Sequence, residues 1–193
     1  MITLQCLLEF QNTQDKKTVL DLMRIFSSAM RYAYQRLLEG KKRKDLKKQL
    51  SKLFNINTRY SDDAILLAQS IISSCKERCQ NPKKLIFGSR KLFEQLKKNH
   101  LTGKRRKQLK TKWKENRQGN LYSRGDKSKQ GNLNLRFEQI DNKLYLRINI
   151  GDRQYVYAKV IRSVKRKKDK WIELCLCWKM HINTENGFRI QLD

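Results

Sequence analysis

Asn120-Leu121-Tyr122-Ser123-Arg124-Gly125-Asp126-Lys127-Ser128-Lys129-Gln130-Gly131-Asn132-Leu133-Asn134-Leu135-Arg136 is the point at which this sequence changes character. Upstream of it, apolar residues recur three and four apart; downstream, they alternate. The stretch itself reads as a polar, basic loop rich in Gly, Ser and Asn that runs into a strand starting near Leu133. Small residues let a backbone approach phosphates closely, and Arg124, Lys127, Lys129 and Arg136 supply charge for backbone contacts. Tyr122 is open to two uses, as a ring on which a base stacks or as an aromatic packed beside a strand.

Working back from the loop, Ile2 to Phe10 reads as a strand, and Asn12 or Thr13 offers a helix cap. Val19, Leu22, Met23, Phe26, Ala29, Met30, Ala33 and Leu37 then mark one face of a long helix ending at Gly40. A basic second helix follows, with Leu46, Leu50 and Leu53 on one side. A third is expected from a cap at Ser61 or Asp62, with Ile65, Ala68, Ile72, Cys75 and Cys79 in a stripe and Asn81-Pro82 as its end. Helical spacing returns from Ser89 to about Asn116, interrupted between His100 and Gly103.

Forward of the loop the period is two. Leu133, Leu135 and Phe137 give one strand, and Leu144, Leu146, Ile148 and Ile150 a second, across a turn at Asp141-Asn142. Tyr155 to Ile161, then Trp171 to Trp178, give two more, and Phe188 to Asp193 starts another. The class is therefore α+β, with the first strand joining the later sheet and the helices forming a basic inserted bundle.

The chain holds 45 Lys+Arg against 18 Asp+Glu, a formal charge of +27. Solubility is served by a net charge of magnitude ~2–8 in a small domain, so this excess points to a polyanion, and to nucleic acid first. Between Lys83 and Arg117 there are 14 basic residues and two acids. Lys104-Arg105-Arg106-Lys107, followed by Lys110, Lys112 and Lys114, is dense enough to track a phosphate backbone, with Trp113 near it as a second stacking candidate. No apolar run approaches the ~20 residues of a membrane span, and the start of the chain does not read as a signal peptide, so a cytoplasmic protein with no membrane partner is expected. Five cysteines without framework spacing fit a reduced compartment and buried thiols better than zinc. No carboxylate pair or nucleophile arrangement surrounds His100 or His181.

The order strand, helices, Phe87-Gly88-Ser89-Arg90-Lys91, basic helix, Leu-Tyr-Ser-Arg-Gly-Asp-Lys-Ser-Lys at 121–129, Gly-Asn-Leu-Asn at 131–134, then a meander resembles the N-terminal half of TnpB, the OrfB-type protein of bacterial insertion sequences. The resemblance implies a small antiparallel β-barrel, the wedge, made of residues 1–12 and 118–185. A helical recognition lobe over 13–117 would be inserted in it, and 186–193 would begin a RuvC-like nuclease domain. It implies binding of a transposon-end guide RNA and of double-stranded DNA, with base pairing supplying most of the specificity. Arg59, Tyr60 and Asp62 fall where the family approaches the duplex and are candidates to read the adjacent DNA motif, with Asp62 also open to a capping role. Asp193 stands where the family's first catalytic Asp belongs, although Arg189 and Gln191 depart from its strand pattern. One carboxylate does not position two metal ions. The 193 residues are thus expected to hold no cofactor and to bind without cutting, Mg²⁺ being expected only with a complete nuclease domain. The alternative is a self-contained RNA-binding or ribosome-associated protein, which the same charge and aromatics fit.

Overall fold

In the computed structural model, which describes residues 4–98, 103–126, 128, 131–163, 179–183 and 189–192, strand β1 (Leu4–Phe10) leads directly into α1 (Thr13–Leu38). The Asn12 side chain accepts from the Asp15 amide at 2.6 Å, satisfying one of the helix's unpaired N–H groups. Helix α2 (Arg43–Phe54) buries Leu46 and Leu50, whereas Leu53 is 57% exposed and leaves the expected apolar side. Asn55 then turns the chain in a left-handed conformation.

Helix α3 (Thr58–Glu77) begins earlier than its sequence suggests. Asn57, not Ser61 or Asp62, is the cap, accepting from the Tyr60 amide at 2.8 Å. The buried stripe correspondingly starts at Tyr60 and runs through Ala64 and Ala68. Helices α4 (Arg90–Lys97) and α5 (Gly103–Gln118) complete the helical insertion that follows β1.

Strand β2 (Asn120–Arg124) occupies the front of what reads as a loop. The others are β3 (Leu135–Ile140), β4 (Lys143–Gly151), β5 (Gln154–Ser163), β6 (Lys179–Asn183) and β7 (Arg189–Leu192). All pairs are antiparallel, in the order β2-β6-β7-β1-β5-β4-β3. Two-residue turns join β3 to β4 at Asp141-Asn142 and β4 to β5 at Asp152-Arg153, with φ of 49° and 57°, then 46° and 60°. Positive φ at both central positions matches the twist of the flanking strands. The expected strand at Trp171–Trp178 lies outside the described residues.

Strand β7 pairs with both β6 and β1 inside this sheet. One expectation is corrected: the sheet does not close into a barrel, since β2 and β3 are its edges and no ladder joins them among the described residues. Just ahead of β3, the Asn132 side chain turns the backbone, its Oδ1 accepting from Asn134 N at 2.9 Å and Leu135 N at 3.1 Å. The two edges are tied by a side-chain contact, Asn134 Nδ2 donating to Ser123 Oγ at 3.1 Å, and by the backbone bridge between Asp126 and Gly131.

One core joins helices and sheet. From α1 it takes Met23, Phe26 and Ala33, from α3 Ile65 and Ala68, and from the sheet's inner face Leu135, Leu146, Ile148, Val156 and Ala158. Tyr60 lies in its middle, edge-on to Phe26 at 6.1 Å between centroids and donating to the Asn149 carbonyl at 3.0 Å.

Candidate functional site

The first turns of α3, the middle of α2 and the end of β2 enclose an open cleft of about 610 Å³. Thr58, Arg59, Asp62 and Asp63 come from α3, Lys47 from α2, and Arg124, Gly125 and Asp126 from the β2 end. The wall at Gly125 is tight. A Cβ there would stand 3.3 Å from the Gly131 carbonyl carbon, because Asp126 and Gly131 exchange backbone hydrogen bonds at 3.0 and 3.1 Å.

The two adjacent acids are shifted in opposite directions. Burial pushes Asp62 upward, but hydrogen bonds from Arg43 Nε (2.9 Å) and Nη2 (2.7 Å), with the charges of Arg43, Lys47 and Arg124, outweigh it and hold the carboxyl below its usual range. Asp63 is 6% exposed, and burial raises it to about 6 against hydrogen bonds from Ser123 Oγ at 2.8 Å and the Arg124 amide at 3.4 Å. Ser123 Oγ also lies 3.1 Å from Asn132 Oδ1. A hydroxyl has one proton, so it serves the carboxylate or the amide oxygen, not both. A protonated Asp63 removes the conflict by donating to Ser123, whose proton then goes to Asn132.

A second basic surface runs along α5. No α5 residue is buried, and Lys104, Arg105, Arg106 and Lys107 are all exposed. Lys104, Lys107, Thr111 and Lys112 line an open groove of about 830 Å³. The helix is anchored at its far end. Ser27 Oγ lies within 3.2 Å of the Gln118 carbonyl and 3.1 Å of the Asn120 carbonyl, and Arg31 Nη1 donates to the Arg117 carbonyl at 2.6 Å. Burial, then the charge of Arg117, lowers Arg31 to about 10, which leaves it a cation at a helix C-terminus, where positive charge is favourable. Trp113 packs against Phe93 and under the Arg117 guanidinium. Gly88, at φ +90°, lets α5 come close, since a Cβ there would meet the Trp113 carbonyl oxygen at 2.8 Å. Trp113 therefore holds α5 in place rather than standing ready for a base.

The structure brings Arg59, Asp62 and Arg124 into one cleft, although Arg124 is separated by more than sixty residues from the others. It does not bring Tyr60 or Tyr122 there. Tyr60 is 1% exposed and Tyr122 is 7% exposed, so both rings belong to the core and neither offers a face for stacking. Arg136 is exposed on β3 and does not line the cleft. Lys127, Lys129 and Asp193 lie outside the described residues. Lys47, Arg43 and Asp63 are additions that sequence reasoning missed. The only signal for Asp63 is a carboxylate three residues after Tyr60, beside the buried stripe. Cys75 is a buried free thiol, as its stripe position suggests, whereas Cys79 is exposed; Cys175 and Cys177 lie outside the described residues.

Among the described residues, no group of three His, Cys, Asp or Glu stands close enough to hold a metal ion, and no helix is long and apolar enough to cross a membrane. No curated protein matches the chain. Residues 1–192 match the family described as the SSO2105 N-terminal domain, and the chain belongs to that family.

Proposed function

We propose that this chain is a nucleic-acid-holding module of a TnpB-like, RNA-guided protein. The α5 surface would track phosphates, and the cleft would meet a duplex or a folded RNA. The observation that carries the reading is the convergence of Lys47, Arg59 and Arg124, from three separate elements, on one cleft in a chain of charge +27. The acids refine it. A pure phosphate site would not carry Asp62, Asp63 and Asp126 beside its cations. Donors and acceptors together suit base edges or sugar hydroxyls, with phosphates held nearby. The family's description as an N-terminal domain is compatible with a following catalytic unit. The TnpB-like part of the reading rests on the resemblance of the sequence between Leu85 and Arg136.

Sequencing the RNA that copurifies, together with filter binding over a salt series, tests the proposal. Transposon-end RNA should be enriched. Contacts to about 6–10 phosphates should lower affinity about 10³–10⁵-fold between 50 and 200 mM salt for duplex DNA, and less for single strands. Ribosomal RNA alone in the purified protein, or a flat salt response, would overturn it.

A further inference from the structure

The face of β3–β4–β5 turned away from the core is the most chemically distinctive surface outside the cleft and α5. Leu135, Phe137, Leu146, Ile148, Val156 and Ala158 point inward and are buried. Alternation then turns Arg136 and Glu138, Tyr145 and Arg147, and Tyr155, Tyr157 and Lys159 outward. The register sets them in rows: Arg136 opposite Arg147 opposite Tyr157, and Glu138 opposite Tyr145 opposite Lys159. Tyr145 and Tyr157 are therefore diagonal neighbours, about 7–8 Å apart. Tyr155 and Tyr157, two residues apart on one strand, are about 7 Å apart.

A solvated sheet face needs neither three tyrosines in a chain nor two arginines directly opposed, and like charges in that position destabilise a sheet. Arg147 is held in place, with its guanidinium 2.6 Å from Glu138 and 4.6 Å from the centroid of Tyr155, which remains 41% exposed. Glu138 is taken up by that pair, and Glu9 of the neighbouring strand lies opposite Lys159. The corner formed by Arg136, Arg147, Tyr155 and Tyr157 is left basic and aromatic.

We infer that this face is a stacking platform for unpaired nucleotides of an RNA, with Tyr145, Tyr155 and Tyr157 under successive bases and Arg136 beside the backbone. Rings on a sheet are sequence-tolerant supports, because every base has a π-face, and arginine planes add to them. Paired bases offer no such faces, so the platform selects single-stranded segments, while the cleft and α5 take folded or duplex regions. The choice of RNA rests on the function proposed above; the platform itself rests on the sheet register.

The test uses the full chain and three labelled probes: a short oligouridine, its single-stranded DNA counterpart and a blunt RNA duplex. The double substitution Tyr155→Ala with Tyr157→Ala should weaken oligouridine binding at least about tenfold and change duplex binding less than about twofold. The matching pair of Phe substitutions should keep oligouridine affinity. Photocrosslinking of 5-iodouridine RNA to the unaltered protein should label Tyr145, Tyr155 or Tyr157, a readout independent of how the Ala variant folds. Unchanged oligouridine affinity in a folded Ala variant, or crosslinks confined to α5 and the cleft, would overturn the platform while leaving the proposed function standing. An equal loss on the DNA strand would overturn the assignment to RNA. Absence of binding to all three probes would instead sink the proposed function.

Discussion

Replacing Asp63 by Asn should make the protein more stable at neutral and alkaline pH and change it little in acid. The native carboxyl stands at about 6 against an ordinary 3.8, so the folded chain holds this proton more tightly than the unfolded one. Below about pH 4 both states keep it, and ionisation costs nothing. Between about pH 4 and 6 the unfolded chain has released the proton and the native chain has not, so stability falls as pH rises. Above about pH 6 the cost is complete, and two units correspond to ~3 kcal/mol. Asn keeps the shape and puts its amide oxygen where Oδ2 accepts from Ser123 Oγ and the Arg124 amide. It also removes an anion from beside Arg124, which returns part of the gain. The expected net is ~1–3 kcal/mol at about pH 8, or a rise in Tm of roughly 2–10 °C for a chain of this size. Thermal unfolding of parent and variant, followed by circular dichroism at about pH 4.5 and pH 8, isolates this residue because other titrations cancel in the difference. A Tm difference of the same sign and size at both pH values would show that Asp63 is not ionised at a cost, and the reasoning about the buried cluster would fail.

Substituting Lys104, Arg105, Arg106 and Lys107 together by Ala should weaken binding to any nucleic acid sequence alike. It should also reduce the salt slope by ~0.7–0.9 for each phosphate that is no longer neutralised, read by filter binding, while circular dichroism stays unchanged because these residues are exposed. Gly88→Ala should destabilise the packing of α5 by ~1–3 kcal/mol, since the new Cβ meets the Trp113 carbonyl oxygen at 2.8 Å and the backbone sits at φ +90°. A denaturant melt with an unchanged midpoint would contradict that.

What the sequence discloses and what it hides divide along a physical line. Helix α1 is legible because Asn12, Asp15 and the stripe from Val19 to Ala33 all specify the same boundaries. The hairpins of β3, β4 and β5 are legible because inward Leu, Ile and Val alternate with outward polar residues. Strand β2 is not, because Ser123 faces the interior at 1% exposure, and its hydroxyl is satisfied by Asp63, sixty residues earlier. The start of α3 is misread because Ser61 and Asp62 are as good caps as Asn57 on composition alone; the buried stripe from Tyr60 decides between them. Tyr60 and Tyr122 look like recognition residues because a tyrosine near arginines reads the same whether its ring is inside or out. The cleft is invisible for a further reason. Lys47, Asp63 and Arg124 acquire a relation only when α2, α3 and β2 dock.

That docking ties the cleft to the stability of the fold. The cleft's far wall is held to α3 through Asp63, Ser123 and Asn132, so whatever loosens the buried cluster also opens the site. The ion pairs Arg24–Asp21, Arg36–Glu39, Arg43–Asp62 and Arg90–Glu94 have at least one well-exposed partner and are worth little each. They do not offset the mutual repulsion of a +27 chain. The compact state is therefore maintained by the shared apolar core, and the cations left on the cleft, α5 and the outer face of β3–β5 remain under electrostatic strain. A polyanion that binds only the native form relieves that strain and adds stability as RT ln(1 + [L]/Kd), which at a hundredfold excess over Kd is about 2.7 kcal/mol. On the proposed function, the charge excess would supply the affinity, and the ordered groups within it, Asp62 fixed by Arg43 and Arg147 fixed by Glu138, would supply the discrimination between ligands.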